Sequence, residues 1–289
     1  MLGIIFAIFV AIIWALGEVS YSKVSKKYDN TNIYMYTYLL RAIIYASVVL
    51  IFKRSLIGTF DLKVLSSVLP IIFCDLFATL VINIAVYNGK LSVVSPIMSA
   101  YPVLDIFLGV VLLKEKVHPI EILLVISICM AIVFLARNQK KTKKAPNPIK
   151  GIIFSICYML LVAFSIYFEK NIYINKITVY ELYYYKAMVY MATSLIFATT
   201  IAFTPVKLVK PNMDLMKGCG LTPVGNVLDS FALRYGSMIL VVPISSLYSV
   251  ITMYLSKHVL KERIRKRERF SIFYILFATL LLIVLKIIL

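Results

Sequence analysis

The chain has 289 residues, 62% of them hydrophobic and only 15% charged, with a mean hydropathy of +0.93. A soluble domain of this length cannot hide that much apolar surface, so the composition excludes a water-soluble globular protein and calls for lipid as solvent. The formal net charge of +18 does not make nucleic acid an expected partner, because the Lys and Arg residues fall mainly between apolar runs, where they set topology beside anionic lipid.

A helix crossing the ~30 Å hydrocarbon core needs about 20 apolar residues. On that measure spans are predicted at 2–22, 32–52, 65–87, 92–113, 118–136, 151–168, 180–203, 214–236, 238–260 and 270–288. The fold class is therefore all-α and polytopic, with about ten transmembrane helices. Met1 to Ala15 resembles a signal sequence in its apolarity but lacks a basic start and a small-x-small cleavage site, and is read as part of the first span. Cys74, Cys129, Cys157 and Cys219 all lie inside apolar runs without CxxC spacing, and read as small buried hydrophobes.

The longest polar stretch, Arg137 to Lys150, is basic and carries Pro146 and Pro148, which suits a linker. It divides the chain into 1–136, the linker 137–150, and 151–289. The halves are related. A shift of 147 positions lays Pro96, Ile97, Ser99, Tyr101, Val103, Leu108, Leu113, Lys114 and Glu115 over identical residues of the segment that begins at Pro243. Ala85 and Gly89 upstream match Ala232 and Gly236, and Glu121 downstream matches Glu268. At nearby shifts GIIFAI from Gly3 matches GIIFSI from Gly151, and Tyr38, Ala42 and Tyr45 around Arg41 match Tyr183, Ala187 and Tyr190 around Lys186. Greasiness does not explain co-registered Pro, Gly, Tyr and Lys-Glu pairs. Five spans per copy is an odd number, so the second copy enters the membrane from the opposite side, and the two five-helix repeats are inverted. Transporters of this build hold their substrate near the midplane between the repeats.

Trp14 and Gly17 with Lys23, Arg41, Gly89, Pro96 and the Lys114-Glu115 exit, together with Lys186, Gly236, Pro243 and Lys261-Glu262 in the second copy, resemble the drug/metabolite transporter superfamily and within it the ten-helix EamA-type proteins. The resemblance implies a small-solute carrier, with export favoured over uptake. Two departures stand out: the first helix carries Glu18, and the second copy has no Trp matching Trp14. Glu18 also resembles the first-helix glutamate of the small multidrug resistance branch, where a carboxylate exchanges protons for a cation.

Ionisable groups inside spans cost about 2.5–3.5 kcal/mol each and need a partner or a function. Here they are Glu18, Asp75, Asp105 and Asp229 against Arg41 and Lys186. If each base neutralises one acid, two carboxylates remain, and a carboxylate without a partner at that depth is a proton carrier or a seat for a cation. In the repeat frame Asp229 falls on Ile82 and Asp75 on Thr222, and positions 75 and 82 are two helical turns apart, so both acids project from equivalent faces. Asp105 follows Tyr101 by four residues, and the matching face carries Tyr248 and Thr252. Trp14, Tyr38, Tyr101 and Tyr248 are candidates to wall a cavity holding an organic cation or an aromatic solute. Most of the 20 tyrosines read as interfacial belt residues. Pro96 and Pro243 sit about one turn into their spans, as packing kinks or gating hinges.

His118 and His258 have no metal or catalytic pattern around them, and no P-loop, GxSxG or HExxH occurs, so neither an enzyme nor a cofactor is expected. Of the 31 basic residues, twenty fall on the linker side of the membrane, nine on the terminal side and two in spans. The positive-inside rule then puts the linker in the cytoplasm, whereas the family resemblance implies cytoplasmic termini. The expected function is a multi-pass carrier in the cell membrane, monomeric or homodimeric, with a small solute such as an amino acid, amine or related metabolite as cargo. Membrane lipid surrounds it, and a proton is the candidate coupling ion. The alternative is a lipid-linked-sugar flippase or lipid-binding membrane component, with which Arg41 and Lys186 at membrane depth are compatible.

Overall fold

The computed structural model describes residues 2–101, 104, 119–137, 145–174, 176–235, 244–262 and 264–288. Among them are ten α-helices and no strand: α1 (Leu2–Ser25), α2 (Asn30–Phe52), α3 (Leu62–Asn88), α4 (Leu91–Met98), α5 (Pro119–Arg137), α6 (Pro148–Ile174), α7 (Val179–Ala202), α8 (Met213–Tyr235), α9 (Tyr248–Val259) and α10 (Lys266–Ile288). Asp105, Pro243, Gly236, the Lys114-Glu115 exit, His118 and linker residues 138–144 lie outside the described residues.

Short loops separate the helices because polar side chains satisfy the first free amides of the next one. Asp29 accepts from Thr31 N at the start of α2, Asp61 from Lys63 N and Val64 N at the start of α3, and Asn212 from Leu215 N at the start of α8. Thr178 and Glu181 form a reciprocal capping box on α7.

Four helices, Leu2–Ser25, Asn30–Phe52, Leu62–Asn88 and Pro148–Glu169 within α6, are long and apolar enough to cross a membrane. Their exposure pattern is that of a lipid-facing protein. On α1 the outward stripe is Ile5, Ile8, Phe9, Ile12 and Leu16, while Ala7, Ala11, Ala15 and Glu18 point inward. On α10 Phe270, Phe273 and Phe277 face out and Ser271, Ala278 and Thr279 face in. In water this arrangement would be inside out; in hydrocarbon it is stable.

Helices pack across the midline of the sequence: α1 on α8, α2 on α7, α3 on α6, α4 on α9 and α5 on α10. Exchanging α1–α5 for α6–α10 leaves that set of pairs unchanged. Small residues bring the backbones close, as expected where lipid offers no hydrophobic drive between helices. A Cβ on Gly151 of α6 would come within 2.8 Å of the Gly89 backbone at the end of α3, and one on Gly218 of α8 would meet Val24 of α1. A carboxylate from the second half ties down the short helix α4: Glu262, 4% exposed, accepts from Leu91 N at 3.0 Å and Ser92 N at 2.9 Å.

Candidate functional site

A cavity of about 290 Å³ opens between the halves. Its first-half wall comes from α1, α2, α3 and Tyr101; its second-half wall from α6, α7, α8 and the start of α9. Most lining residues sit on helices whose outer stripe is lipid-facing, so the polar side chains find their partners in the cavity, in each other and in backbone carbonyls.

The strongest interaction is a buried ion pair. Lys186 Nζ of α7 lies 2.7 Å from Asp75 Oδ2 of α3. Both oxygens of Asp75 are further occupied: Oδ1 accepts from Ser165 Oγ at 2.9 Å and Oδ2 from Tyr190 OH at 3.3 Å. A pair this deep survives because its remaining hydrogen-bonding positions are filled. Arg41, at the place in the repeat that matches Lys186, is 9% exposed and forms no ion pair among the described residues; its guanidinium lies 5.7 Å above the Tyr190 ring and its Nε has no hydrogen-bond partner. Lys186 thus neutralises one of the acids, whereas Arg41 has no ion pair among the described residues, and the second half offers Thr222 where the first offers Asp75.

At one end of the cavity Trp14 Nε1 donates to Asn226 Oδ1 at 3.0 Å, and the indole meets the Tyr248 ring edge-on at 5.6 Å. Gly225 makes this possible, since a Cβ there would lie 2.5 Å from the indole nitrogen. Glu18, 7% exposed, accepts a hydrogen bond from Ser95 Oγ of α4. Asp229 lines the wall with its Oδ1 buried and unpartnered, within electrostatic reach of Glu169. Among the described residues no three His, Cys, Asp or Glu gather to hold a metal ion.

Eight residues expected from the sequence line this one cavity: Trp14, Glu18, Arg41, Asp75, Tyr101, Lys186, Asp229 and Tyr248. Tyr38 does not. Its hydroxyl donates to Leu76 O at 2.9 Å and its ring stacks on Phe197 at 5.8 Å, so it belongs to the packing of α2 against α3 and α7. The reason is angular: Thr37 and Arg41 share the inward face of α2, and Tyr38 is turned about 100° away from Thr37. Pro96 is buried within α4, away from the lining, and α4 ends two residues later at Met98. The lining residues missed from sequence are mostly uncharged: Tyr21, Thr37, Tyr158, Ser165, Thr222 and Asn226, along with Glu169. Glu169 was legible in principle, but α6 continues to Ile174 beyond the predicted span end at 168.

The description EamA-like transporter family matches residues 1–137. The first half of the chain is similar to that family. The likeness of residues 1–137 to a transporter family agrees with the apolar, lipid-facing helices. No curated protein matches the chain. Twenty-three chains of solved structures do; one, described only as the crystal structure of a protein, superposes with a TM-score of 0.63 at 13% identity, covering 98% of this chain and 97% of its own. That likeness carries the fold alone, but it carries it across both halves.

Proposed function

We propose that the chain is a secondary transporter that exports a small organic solute, such as an amino acid, amine or related metabolite, across the cell membrane by alternating access about the central cavity. The observation that carries this reading is the cavity itself: charged and aromatic side chains buried at the depth of lipid-facing helices, on a wall shared by both halves. The two halves are read as inverted repeats, supported by the register of 147 residues and by a helix pairing that survives exchange of the halves. The export direction rests on family resemblance. Asp229, with its unpartnered oxygen, and Glu18, held by Ser95, are the carboxylates read as proton carriers; Asp75 is committed to Lys186. Pro96 is read as part of the gate, since the helix it interrupts bears the Glu18 partner Ser95.

Counterflow in proteoliposomes tests this reading. Liposomes loaded with an amino acid or amine from a broad panel should accumulate labelled solute of the same kind, with saturation, while protein-free liposomes do not. Flipping of a labelled polyprenyl phosphate with no counterflow of any panel member would replace transport of soluble solutes with the flippase reading. Glu18→Gln and Asp229→Asn should uncouple movement from a pH gradient; full gradient-driven transport in both would remove the proton.

A further inference from the structure

The start of α2, the turn from α3 to α4, the start of α6, the loop from α7 to α8 and the end of α9 meet at the end of the bundle that holds Asn147 of the linker. There the two halves are joined by polar contacts. Asn32 of α2, 1% exposed, clamps the backbone of the α7–α8 loop with both ends of its amide, donating to Lys207 O at 3.1 Å and accepting from Val209 N at 3.0 Å. Tyr36 OH donates to Val209 O at 2.7 Å, and Asn147 N donates to Asn88 O at 3.3 Å.

A charged contact among them closes on α4. All eight residues of that helix are buried and Lys90 before it makes no side-chain cap, so its first amides cannot turn to water. Glu262 of the second half supplies what is missing, with one oxygen on Leu91 N and the other on Ser92 N. A carboxylate on two amides at a helix start is a charge-assisted contact, favoured further by the helix dipole. The chain is shaped to deliver it: after α9, Lys261 takes the left-handed conformation at φ 51° and Glu262 N turns back to Ser256 O at 3.3 Å, which carries the side chain out of the helix line. One turn further along α4, Ser95 donates to Glu18 of the cavity. The short helix is thus gripped at its start by the opposite half and at its middle by a cavity carboxylate. The Lys261-Glu262 pair recurs 147 positions earlier as Lys114-Glu115, so each half carries one such acid.

We propose that the protein is closed at this end, that Glu262 on the start of α4 is the latch of the closure, and that the latch must let go before the cavity opens towards the linker. The proposal rests on the alternating-access reading and deepens it by naming the closed face and the contact that breaks. A carboxylate on amides suits a latch, because water admitted on opening solvates both partners. Cys219 is placed to report the event. It is 1% exposed, lines the cavity, and lies about 9 Å along α8 from the end of that helix nearest these contacts.

The test is the reaction of Cys219 with a membrane-impermeant thiol reagent, in the full chain with Cys74, Cys129 and Cys157 replaced by alanine. Right-side-out and inside-out vesicles are treated in turn, and trypsin cleavage of the basic stretch 137–150 identifies those that present the linker face. The parent should react slowly from that face. Glu262→Ala should speed the reaction there about tenfold to a hundredfold, the range for losing charge-assisted hydrogen bonds. From the opposite face it should speed nothing. Glu262→Gln keeps one acceptor oxygen, should give a smaller rise, and is the independent arm if the alanine variant does not fold. Asn32→Ala should act in the same direction. Asp214→Asn breaks only the exposed pair with Lys27 at this end, and Ser165→Ala loosens the interior away from it; both should leave the rate unchanged. The proposal is overturned if the Glu262 variants react no faster than the parent, if the rise is equal from both faces, if Ser165→Ala matches it, or if the parent already reacts from the linker face as fast as a free thiol. No solute enters the assay, so any of those results beside intact counterflow removes the latch and leaves the transport reading in place.

Discussion

Arg41 and Lys186 occupy matching places in the two halves and have opposite fates. Lys186 is locked to Asp75 at 2.7 Å, whose oxygens are further held by Ser165 and Tyr190, while Arg41 lines the cavity with no ion pair among the described residues. A single substitution in the repeat frame separates them: Asp75 on α3 of the first half is Thr222 on α8 of the second. The helix pairing survives exchange of the halves, but the electrostatics do not. One cation is paired within the bundle, and the other has no ion pair among the described residues.

The contrast is broken most severely by removing the acid that maintains it. Asp75→Ala should destabilise the protein by about 3–5 kcal/mol, because it strands a buried ammonium. Adding Lys186→Met should recover most of that loss. Equilibrium unfolding of the two variants in detergent checks it, and a single variant no weaker than the double would mean the pair is not what holds Lys186.

The wall around Trp14 offers a smaller effect. Gly225→Ala drives a methyl into the indole and should cost about 1–3 kcal/mol by overpacking. Gly220→Ala is the control, since its Cβ would meet only Leu40 Cδ1, at 3.5 Å; it should be neutral or stabilising by up to about 1 kcal/mol through helix propensity. Melting temperatures that fall equally in both variants would show that the Trp14 contact is not the cause.

The finest test removes one hydroxyl from each side of the comparison. Ser165→Ala takes a hydrogen bond from Asp75 and should cost about 1 kcal/mol. Thr37→Val removes a hydroxyl that meets only the Cys219 thiol, a weak hydrogen-bonding partner, and should be close to neutral. A loss at Thr37 as large as that at Ser165, read by the same unfolding assay, would erase the asymmetry.

The helices were legible because a lipid-crossing segment must be a continuous apolar run, and the polar breaks at Asp29, Asp61, Thr178 and Asn212 serve as caps in the structure. The charged lining was legible for a related reason: at that depth an ionisable residue stands out against its neighbours. Tyr21, Thr37 and Asn226 gave no such signal, since uncharged polar residues occur on every face of a membrane helix. Tyr38 misled because aromaticity says nothing about the angle at which a side chain leaves its helix. Glu169 was lost at a span boundary, because hydropathy marks where lipid ends and not where the helix does.

By itself the sequence determined that this chain is helical, belongs in lipid and repeats itself at 147 residues, since each of these follows from local composition or from comparing the chain with itself. Only the tertiary structure decided which acid meets which base. That choice depends on the packing of α3 against α6 and α7 and of α2 against α7 and α8, which brings Lys186 and Asp75 together from more than a hundred positions apart and leaves Arg41 without an ion pair among the described residues.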